Sequence, residues 1–98
     1  MQDSETETQE TTISKEELQV FFPDELKKGV FSNNVFISHT PEEFILDFVA
    51  MAPQAGSVVS RVILTPSHTK RLANALVNAV TNYEKKFGDV PEKIEEIS

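Results

Sequence analysis

Apolar residues alternate with other residues in two neighbouring segments of the chain, residues 44–49 and residues 58–64. A repeat of two is typical of β-strands, because successive side chains point to opposite faces of a sheet. The segment between them, residues 51–57, contains Pro53 and Gly56 and has the composition of a hairpin loop. The pattern therefore predicts an antiparallel β-hairpin in the middle of the chain.

One register of this hairpin places apolar and charged residues opposite suitable partners at the same time. A slip by one residue would turn every side chain to the wrong face of the sheet. The predicted register gives one face the pairs Phe44–Leu64, Leu46–Val62 and Ala50–Val58, and gives the other face Ile45–Ile63, Val49–Val59 and the charge pair Asp47–Arg61. Opposite charges directly across a ladder stabilise the pairing.

Two more strands are predicted before this hairpin. Residues 18–22 alternate as a strand does, although Ser14 and Glu17 also fit the capping box of a short helix, which competes at this position. Residues 23–29 have the composition of a turn. Residues 30–38 are rich in valine, isoleucine and phenylalanine, which favour a strand.

Two Thr-Pro pairs have the form of helix starts. Thr40, followed by Pro41 and Glu43, predicts a single capped helical turn between two strands. Thr65 and Pro66 are placed as the cap and the first residue of a longer helix. The sequence therefore predicts a short turn of helix before the hairpin and a full helix after it.

After Thr65 the apolar residues recur with a helical period of about 3.6 residues. Lys85 and Lys86 suit the negative end of a helix dipole, and Gly88 is a typical helix stop. The apolar stripe consists of Leu72, Leu76, Ala79, Val80, Tyr83 and Phe87. A helix that begins after Thr65 and stops at Gly88 is predicted.

The element order is thus three or four antiparallel strands followed by one long C-terminal helix, an α+β fold of the β-β-β-β-α type. Charge divides the chain: residues 1–17 hold six acidic residues and one lysine, and residues 89–98 hold four acidic residues and one lysine. The first segment has too few apolar residues to offset the entropy of ordering. We therefore expect a disordered acidic tail over 1–17, a single α+β domain over 18–88 and an acidic tail over 89–98.

A single helix covers one face of a small sheet, and the face with Phe44, Leu46 and Leu64 suits it. The second face is apolar too, with Val35 and Ile37 expected to join it. A contiguous exposed apolar patch is uncommon on a monomer, so a homodimer is predicted. Its interface residues would be Ile45, Asp47, Val49, Val59, Arg61 and Ile63. The alternative is that the chain's own ends, with Phe21, Ile94 and Ile97, cover this face.

No arrangement of residues indicates catalysis, a metal site or a cofactor, so we expect a protein that is not an enzyme. Cysteine is absent, and three glycines are too few for a phosphate-binding loop. His39, Asp47, Ser67 and His68 include the residue types of a hydrolytic triad, but no nucleophile elbow accompanies them. Two histidines about thirty residues apart are weak grounds for a metal site.

Basic residues on the polar side of the helix, Lys70, Arg71, Lys85 and Lys86, offer contacts to phosphates. Single-strand binding also requires exposed aromatic rings, whereas most of the seven phenylalanines are expected to form the core. A protein partner is therefore favoured over nucleic acid. No apolar run is long enough for a membrane span, and the polar start of the chain leads us to expect a cytoplasmic protein.

Three runs of sequence resemble those of a known family: VFSNNVFISHTPEEFILDF at 30–48, VSRVILTPSHTKRL at 59–72 and YEKKFG at 83–88. Together they resemble a small bacterial and archaeal family of unknown function, DUF3467. The resemblance covers about residues 18–88, with the acidic tails outside it. It implies a domain but no established activity, substrate or cofactor. The polar residues of these runs that deserve tests are Asn33, His39, Asp47, Arg61 and His68.

Fold and composition together lead to a functional hypothesis. The chain is expected to be a small non-enzymatic protein-binding or assembly module that acts as a homodimer. The alternative is a single-stranded nucleic-acid-binding domain, which rests on element order alone.

Overall fold

A computed structural model of the chain describes residues 11–15 and 18–92. It divides into two compact units, Met1–Val30 and Phe31–Ser98, which are described separately. The α+β class is confirmed: antiparallel strands precede one long helix. No helix among the described residues has the length and hydropathy needed to cross a membrane.

The first unit contains a two-stranded antiparallel hairpin and a short 3₁₀ turn. Strand β1 is Thr11–Lys15, strand β2 is Leu18–Phe22, and the 3₁₀ turn is Asp24–Leu26. The strand predicted at 18–22 is confirmed, and the competing short helix is wrong because Ser14 pairs with Gln19 in the β-ladder. Gly29 has a φ of 73°, a left-handed conformation that glycine adopts without strain.

Strand β1 lies inside the segment that we expected to be disordered. Counting apolar residues overlooked the β-branched run of Thr11, Thr12 and Ile13, which favours an extended backbone. The rest of the predicted tail, residues 1–10 and 16–17, lies outside the described residues. At the other end, residues 93–98 also lie outside them, including Ile94 and Ile97, which we considered as an alternative cover for the sheet.

The second unit contains a three-stranded antiparallel sheet in the order β3-β4-β5. Its strands are Asn34–His39, Phe44–Met51 and Gly56–Leu64. Strand β3 begins four residues later than predicted. Before it, the Asn33 N–H still donates a hydrogen bond to the Val49 carbonyl at 3.0 Å, and the Asn33 side chain hydrogen-bonds the backbone of Met51.

The connection between β3 and β4 contains the cap that we predicted at Thr40 but not the helical turn. The Thr40 hydroxyl accepts hydrogen bonds from the backbone N–H groups of Glu42 and Glu43, each at 3.2 Å. The Thr40 N–H donates to the Glu43 carbonyl at 2.9 Å, which closes a tight loop. His39 already pairs with Phe44 across the ladder, so the loop is too short for a turn of helix.

The predicted register of the β4–β5 hairpin is confirmed from Phe44–Leu64 through Asp47–Arg61 and one pair further. It is wrong beyond that point, because the ladder shifts between Phe48 and Val49. Val49 pairs with Val58 instead of Val59, and Ala50 pairs with Ser57 instead of Val58. Strand β5 therefore holds one extra residue, Val59, and the irregularity is a β-bulge.

Strand β3 places its side chains differently from our expectation. Val35 pairs with Phe48 and Ile37 pairs with Leu46. Residues directly opposite each other share a face, so Val35 and Ile37 lie on the face with Leu46. Phe36 pairs with Asp47 and lies on the opposite face. The register of β3 could not be read from its own sequence, because residues 35–37 are all apolar.

Helix α1, Pro66–Phe87, has the predicted bounds. The Thr65 hydroxyl accepts a hydrogen bond from the His68 N–H at 3.1 Å, and Gly88 ends the helix with a φ of 98°. The first half of α1 lies against the sheet, where Leu72 and Leu76 share an apolar cavity of about 220 Å³ with Phe44 and Leu46. The predicted face is therefore the one that meets the helix.

Candidate interaction surfaces

An ion pair occupies the middle of the sheet face that points away from α1. Asp47 and Arg61 stand directly opposite each other on β4 and β5. Arg61 Nε lies 2.7 Å from Asp47 Oδ1, and Arg61 Nη2 lies 2.9 Å from Asp47 Oδ2. This two-pronged geometry is the strongest form of an arginine–carboxylate contact. The Arg61 side chain is 63% exposed, whereas the Asp47 side chain is 17% exposed.

This contact changes the acidity of both groups. The hydrogen bonds from Arg61 lower the pKa of the Asp47 carboxyl below its usual value, and the positive charge of Arg61 acts in the same direction. Desolvation opposes them without reversing the shift. The hydrogen bonds to Asp47 likewise raise the pKa of Arg61. Both residues therefore remain charged over the physiological pH range.

Apolar side chains surround this ion pair on three strands. We call this surface the reverse face; its nine residues, grouped by strand, are Asn34, Phe36, Ser38, Ile45, Asp47, Val49, Val58, Arg61 and Ile63. Phe36 is 57% exposed and Ile63 is 58% exposed. Ile45 is half-buried and Val49 is buried. The reverse face thus exposes apolar side chains at Phe36, Val58 and Ile63, is closed at Val49, and has one satisfied charge pair at its centre.

The six predicted interface residues fall into two groups. Five of them, Ile45, Asp47, Val49, Arg61 and Ile63, lie on the reverse face as defined by the ladder. The sixth, Val59, is the extra residue of the bulge and is half-buried. The prediction missed Phe36 and Val58, because locating them requires the register of β3 and the position of the bulge.

From Leu76, at the edge of the part that lies against the sheet, to its last residue, α1 presents another apolar surface. Leu76, Val80, Tyr83 and Phe87 are all exposed, and we call these four residues the α1 stripe. The rings of Tyr83 and Phe87 lie 4.9 Å apart between centroids. Helix α1, which is described over its whole length, contains no buried residue. Its stripe was predicted as core, but in this chain the second half of it faces solvent.

A groove of about 340 Å³ runs beside the α1 stripe. Ala79, Val80 and Tyr83 form its floor, and Val90 lines it from the segment after the helix. The Val90 N–H donates a hydrogen bond to Glu84 Oε2 at 2.8 Å, which holds this segment against the last turns of α1. The only sequence signal for this groove was an isolated valine after Gly88, so the prediction missed it.

The residues considered for a hydrolytic triad make separate local contacts. The Asp47 carboxylate binds Arg61, and the Ser67 hydroxyl accepts a hydrogen bond from Arg71 Nη1 at 2.7 Å. The His39 ring packs near Phe44, with 5.3 Å between ring centroids. His68 lies exposed in the first turn of α1. Within residues 18–92 there is no cluster of three histidine, aspartate or glutamate residues suited to a metal ion.

The phenylalanines do not form the core that we expected. Among the described residues the buried apolar side chains are Leu46, Val49 and Leu64. No phenylalanine belongs to this set. Several phenylalanines are exposed instead, for example Phe36 on the reverse face and Phe87 in the α1 stripe. The consequence is that aromatic rings are available at the surface.

Comparison with known proteins identifies a family. The model of the protein family described as "Protein of unknown function (DUF3467)" matches residues 1–93. The match includes the acidic N-terminal segment, which we had placed outside the family pattern. No curated protein and no solved structure matches the chain.

Proposed function

We propose that this chain, which belongs to the DUF3467 family of proteins of unknown function, is a non-enzymatic protein-binding or assembly module that acts as a homodimer. The observation that carries the proposal is an imbalance between core and surface. Leu46, Val49 and Leu64 are the buried apolar residues among those described, whereas large apolar side chains are exposed on both the reverse face and the α1 stripe. Such contiguous apolar surface marks sites of protein contact.

The size of the second unit, Phe31–Ser98, supports the same conclusion. A single core in a domain of fewer than about 70–80 residues rarely supplies more than about 3–5 kcal/mol of stability. Disulfides are excluded because the chain has no cysteine. Association with a second copy is the simplest further source of burial, and a twofold arrangement is the commonest.

The reverse face has the composition of a protein-contact surface. Phe36 and Ile63 provide exposed apolar area, and aromatic residues are enriched at interfaces. The Asp47 charge is already neutralised by Arg61 within the same chain, so a partner does not have to supply a counter-charge for it. We propose this face, including the predicted residues Ile45, Asp47, Val49, Val59, Arg61 and Ile63, as a surface for protein contact.

Light scattering coupled to size-exclusion chromatography tests the homodimer. Over a dilution series, we expect the mass to be that of two chains at high concentration and to fall toward that of one chain on dilution. A mass of one chain at every concentration would refute the proposal. Because the chain contains no cysteine, disulfide-linked artefacts do not complicate the measurement.

Binding of single-stranded nucleic acid is the second candidate. The observation in its favour is that Tyr83 and Phe87 are exposed next to Lys85 and Lys86, since rings beside cations suit base stacking and phosphate contact. The net charge of −7 opposes it. Titration with fluorescent single-stranded DNA at several salt concentrations tests it: tight binding that weakens steeply with salt would favour this candidate over a protein partner.

A further inference from the structure

We propose that the second copy of the chain binds along the α1 stripe, with the two α1 helices antiparallel about a twofold axis between Val80 and Tyr83. This inference rests on the proposed homodimer and names its contact surface. It assigns dimer formation to the helix and leaves the reverse face for a different protein.

The α1 stripe continues from the part of the helix that lies against the sheet. The cavity between α1 and the sheet is lined on the helix side by Thr69, Leu72, Ala73 and Leu76. Beyond Leu76, the described residues that line the next groove are Ala79, Val80 and Tyr83 of the helix, with Val90 at its edge. The second half of α1 therefore offers an apolar surface that continues from the covered part of the helix.

The spacing of the stripe is that of a helix-pairing seam. Leu76, Val80, Tyr83 and Phe87 are separated by four, three and four residues, which is the repeat that places one side of a helix against another helix. An amphipathic helix of matching length is the natural occupant of such a surface, and the chain supplies one itself. The stripe thus meets the requirement of a twofold contact, in which the same patch is used by both copies.

Side-chain size selects the antiparallel direction. The two aromatic residues of the stripe, Tyr83 and Phe87, lie toward the C-terminal end, and the two aliphatic residues, Leu76 and Val80, lie before them. In an antiparallel pair Val80 meets Tyr83 of the partner subunit, and Leu76 meets Phe87 of the partner subunit. Larger side chains then face smaller ones, which favours close packing.

Charge selects the same direction. Lys85 and Lys86 lie in the last turn of α1. A parallel pair would bring these four lysines together, whereas an antiparallel pair places the last turn of one helix level with residues 77 and 78 of the other, which are uncharged. Among the described residues, the groove is lined by Ala79, Val80, Tyr83 and Val90, none of which is charged, so this lining fits an apolar occupant better than a phosphate.

The exposed area is that of a weak and reversible dimer. A Phe or Tyr side chain buries about 150–250 Å², so Tyr83 at 53% exposure and Phe87 at 70% exposure offer on the order of 250 Å² per chain. Leu76 and Val80 add to this on each chain. The total for two chains stays below the roughly 1,200 Å² at which standard-size interfaces begin, which agrees with dissociation on dilution.

Charge substitution on two faces of the helix tests the surface. Val80→Glu places a carboxylate in the seam, and Thr81→Glu places the same charge at an exposed neighbouring position outside it. We expect Val80→Glu to weaken dimerisation by about tenfold or more and Thr81→Glu to leave it unchanged. Ile63→Glu on the reverse face is the third variant and is expected to leave the dimer intact. Circular dichroism establishes that each variant retains its helix.

The outcomes separate this inference from the proposed function. A dimer that survives Val80→Glu but is lost in Ile63→Glu overturns the α1 interface and leaves the homodimer standing. A wild-type chain that is monomeric at all concentrations overturns both, including the case in which residues after 92 fill the groove of their own chain.

Distances between spin labels show whether the two α1 helices are parallel or antiparallel. This measurement is independent of the glutamate variants. Single-cysteine variants at Asn74 and Asn82, both exposed on α1, carry the labels. With about 1.5 Å rise per residue, the antiparallel pair places the two Asn82 labels nearly level and the two Asn74 labels about 22 Å apart along the axis. We expect the Asn74 distance to exceed the Asn82 distance by on the order of 10 Å. Equal distances would mean a parallel pair, and the absence of a defined distance at both sites would overturn the contact.

Discussion

The side-chain amide of Asn33 pairs with both backbone groups of Met51. Its Oδ1 accepts a hydrogen bond from the Met51 N–H at 2.8 Å, and its Nδ2 donates to the Met51 carbonyl at 3.2 Å. Asn33 thereby takes the place of a strand residue opposite the end of β4. A side chain that mimics a strand in this way both ends β3 and completes the hydrogen bonding of β4.

Replacement of Asn33 by alanine should destabilise the second unit. Both polar groups of Met51 lose their partner, and a part-buried backbone group left without one costs about 1–3 kcal/mol. Urea denaturation followed by circular dichroism measures the loss. Gln54→Ala, at an exposed position in the β4–β5 loop, is the control and should leave the midpoint unchanged. Equal midpoints for the two variants would show that the Asn33 contacts contribute nothing.

The Asp47–Arg61 pair should make stability depend on acidic pH. The pKa of Asp47 is lowered in the folded chain, first by its hydrogen bonds to Arg61. A carboxyl with a lowered folded pKa contributes stability that is complete above its unfolded pKa of about 3.9. That contribution is lost as the pH falls through the folded pKa. Denaturation midpoints between neutral and acidic pH measure it.

The matched variants for this pair are Arg61→Ala and Arg61→Lys. Arg61→Ala should bring the Asp47 pKa back toward its ordinary value and flatten the part of the pH dependence that Asp47 causes. Arg61→Lys keeps the charge but loses the two-pronged geometry. The pH dependence of its stability should therefore lie between those of the wild-type chain and Arg61→Ala. Because Arg61 is largely exposed, we expect a small effect on stability at neutral pH. A pH profile identical in all three proteins would contradict the role of the contact.

The N-cap of α1 should be measurable by substitution of Thr65. Its hydroxyl accepts a hydrogen bond from the His68 N–H, one of the donors that a helix leaves without a partner. Thr65→Ala should cost about 1 kcal/mol, whereas Thr65→Ser keeps the acceptor and should cost much less. Thermal denaturation of the two variants compares them. If serine fails to rescue the alanine variant, the cap is not the cause.

Two residues paired across the sheet should differ sharply in their contribution to folding. Leu46 and Ile37 stand opposite each other on the face toward α1, yet Leu46 is buried and Ile37 is exposed. Leu46→Ala should destabilise by about 2–5 kcal/mol because it leaves a cavity. Ile37→Ala should cost less than half of that. Comparable losses would indicate that Ile37 is also covered in solution, as an additional contact between copies would require.

The elements that the sequence predicted best were those with a repeated pattern and a local end signal. Helix α1 has both, since its apolar spacing runs without interruption between the Thr65 cap and Gly88. The first five pairs of the β4–β5 ladder followed from alternation together with one charge pair. In these cases neighbouring residues along the chain carry all the necessary information.

The errors arose where the outcome depends on residues distant in sequence. The start of β3 is set by the contact of Asn33 with Met51, eighteen positions away. The side assigned to Val35 and Ile37 depends on pairing with β4, since a wholly apolar strand has no preferred face of its own. For the same reason Phe36 was missed on the reverse face. The exposure of the α1 stripe depends on how far the sheet extends along the helix.

The extra residue in β5 has a consequence for how the chain tolerates changes in length. On both sides of Val59 the side chains already alternate correctly with β4, because Ser60 pairs with Phe48 and Val58 pairs with Val49. Removing Val59 would join these two stretches without turning any other residue over. Relatives whose β5 is one residue shorter are therefore compatible with this sheet if the missing residue corresponds to Val59.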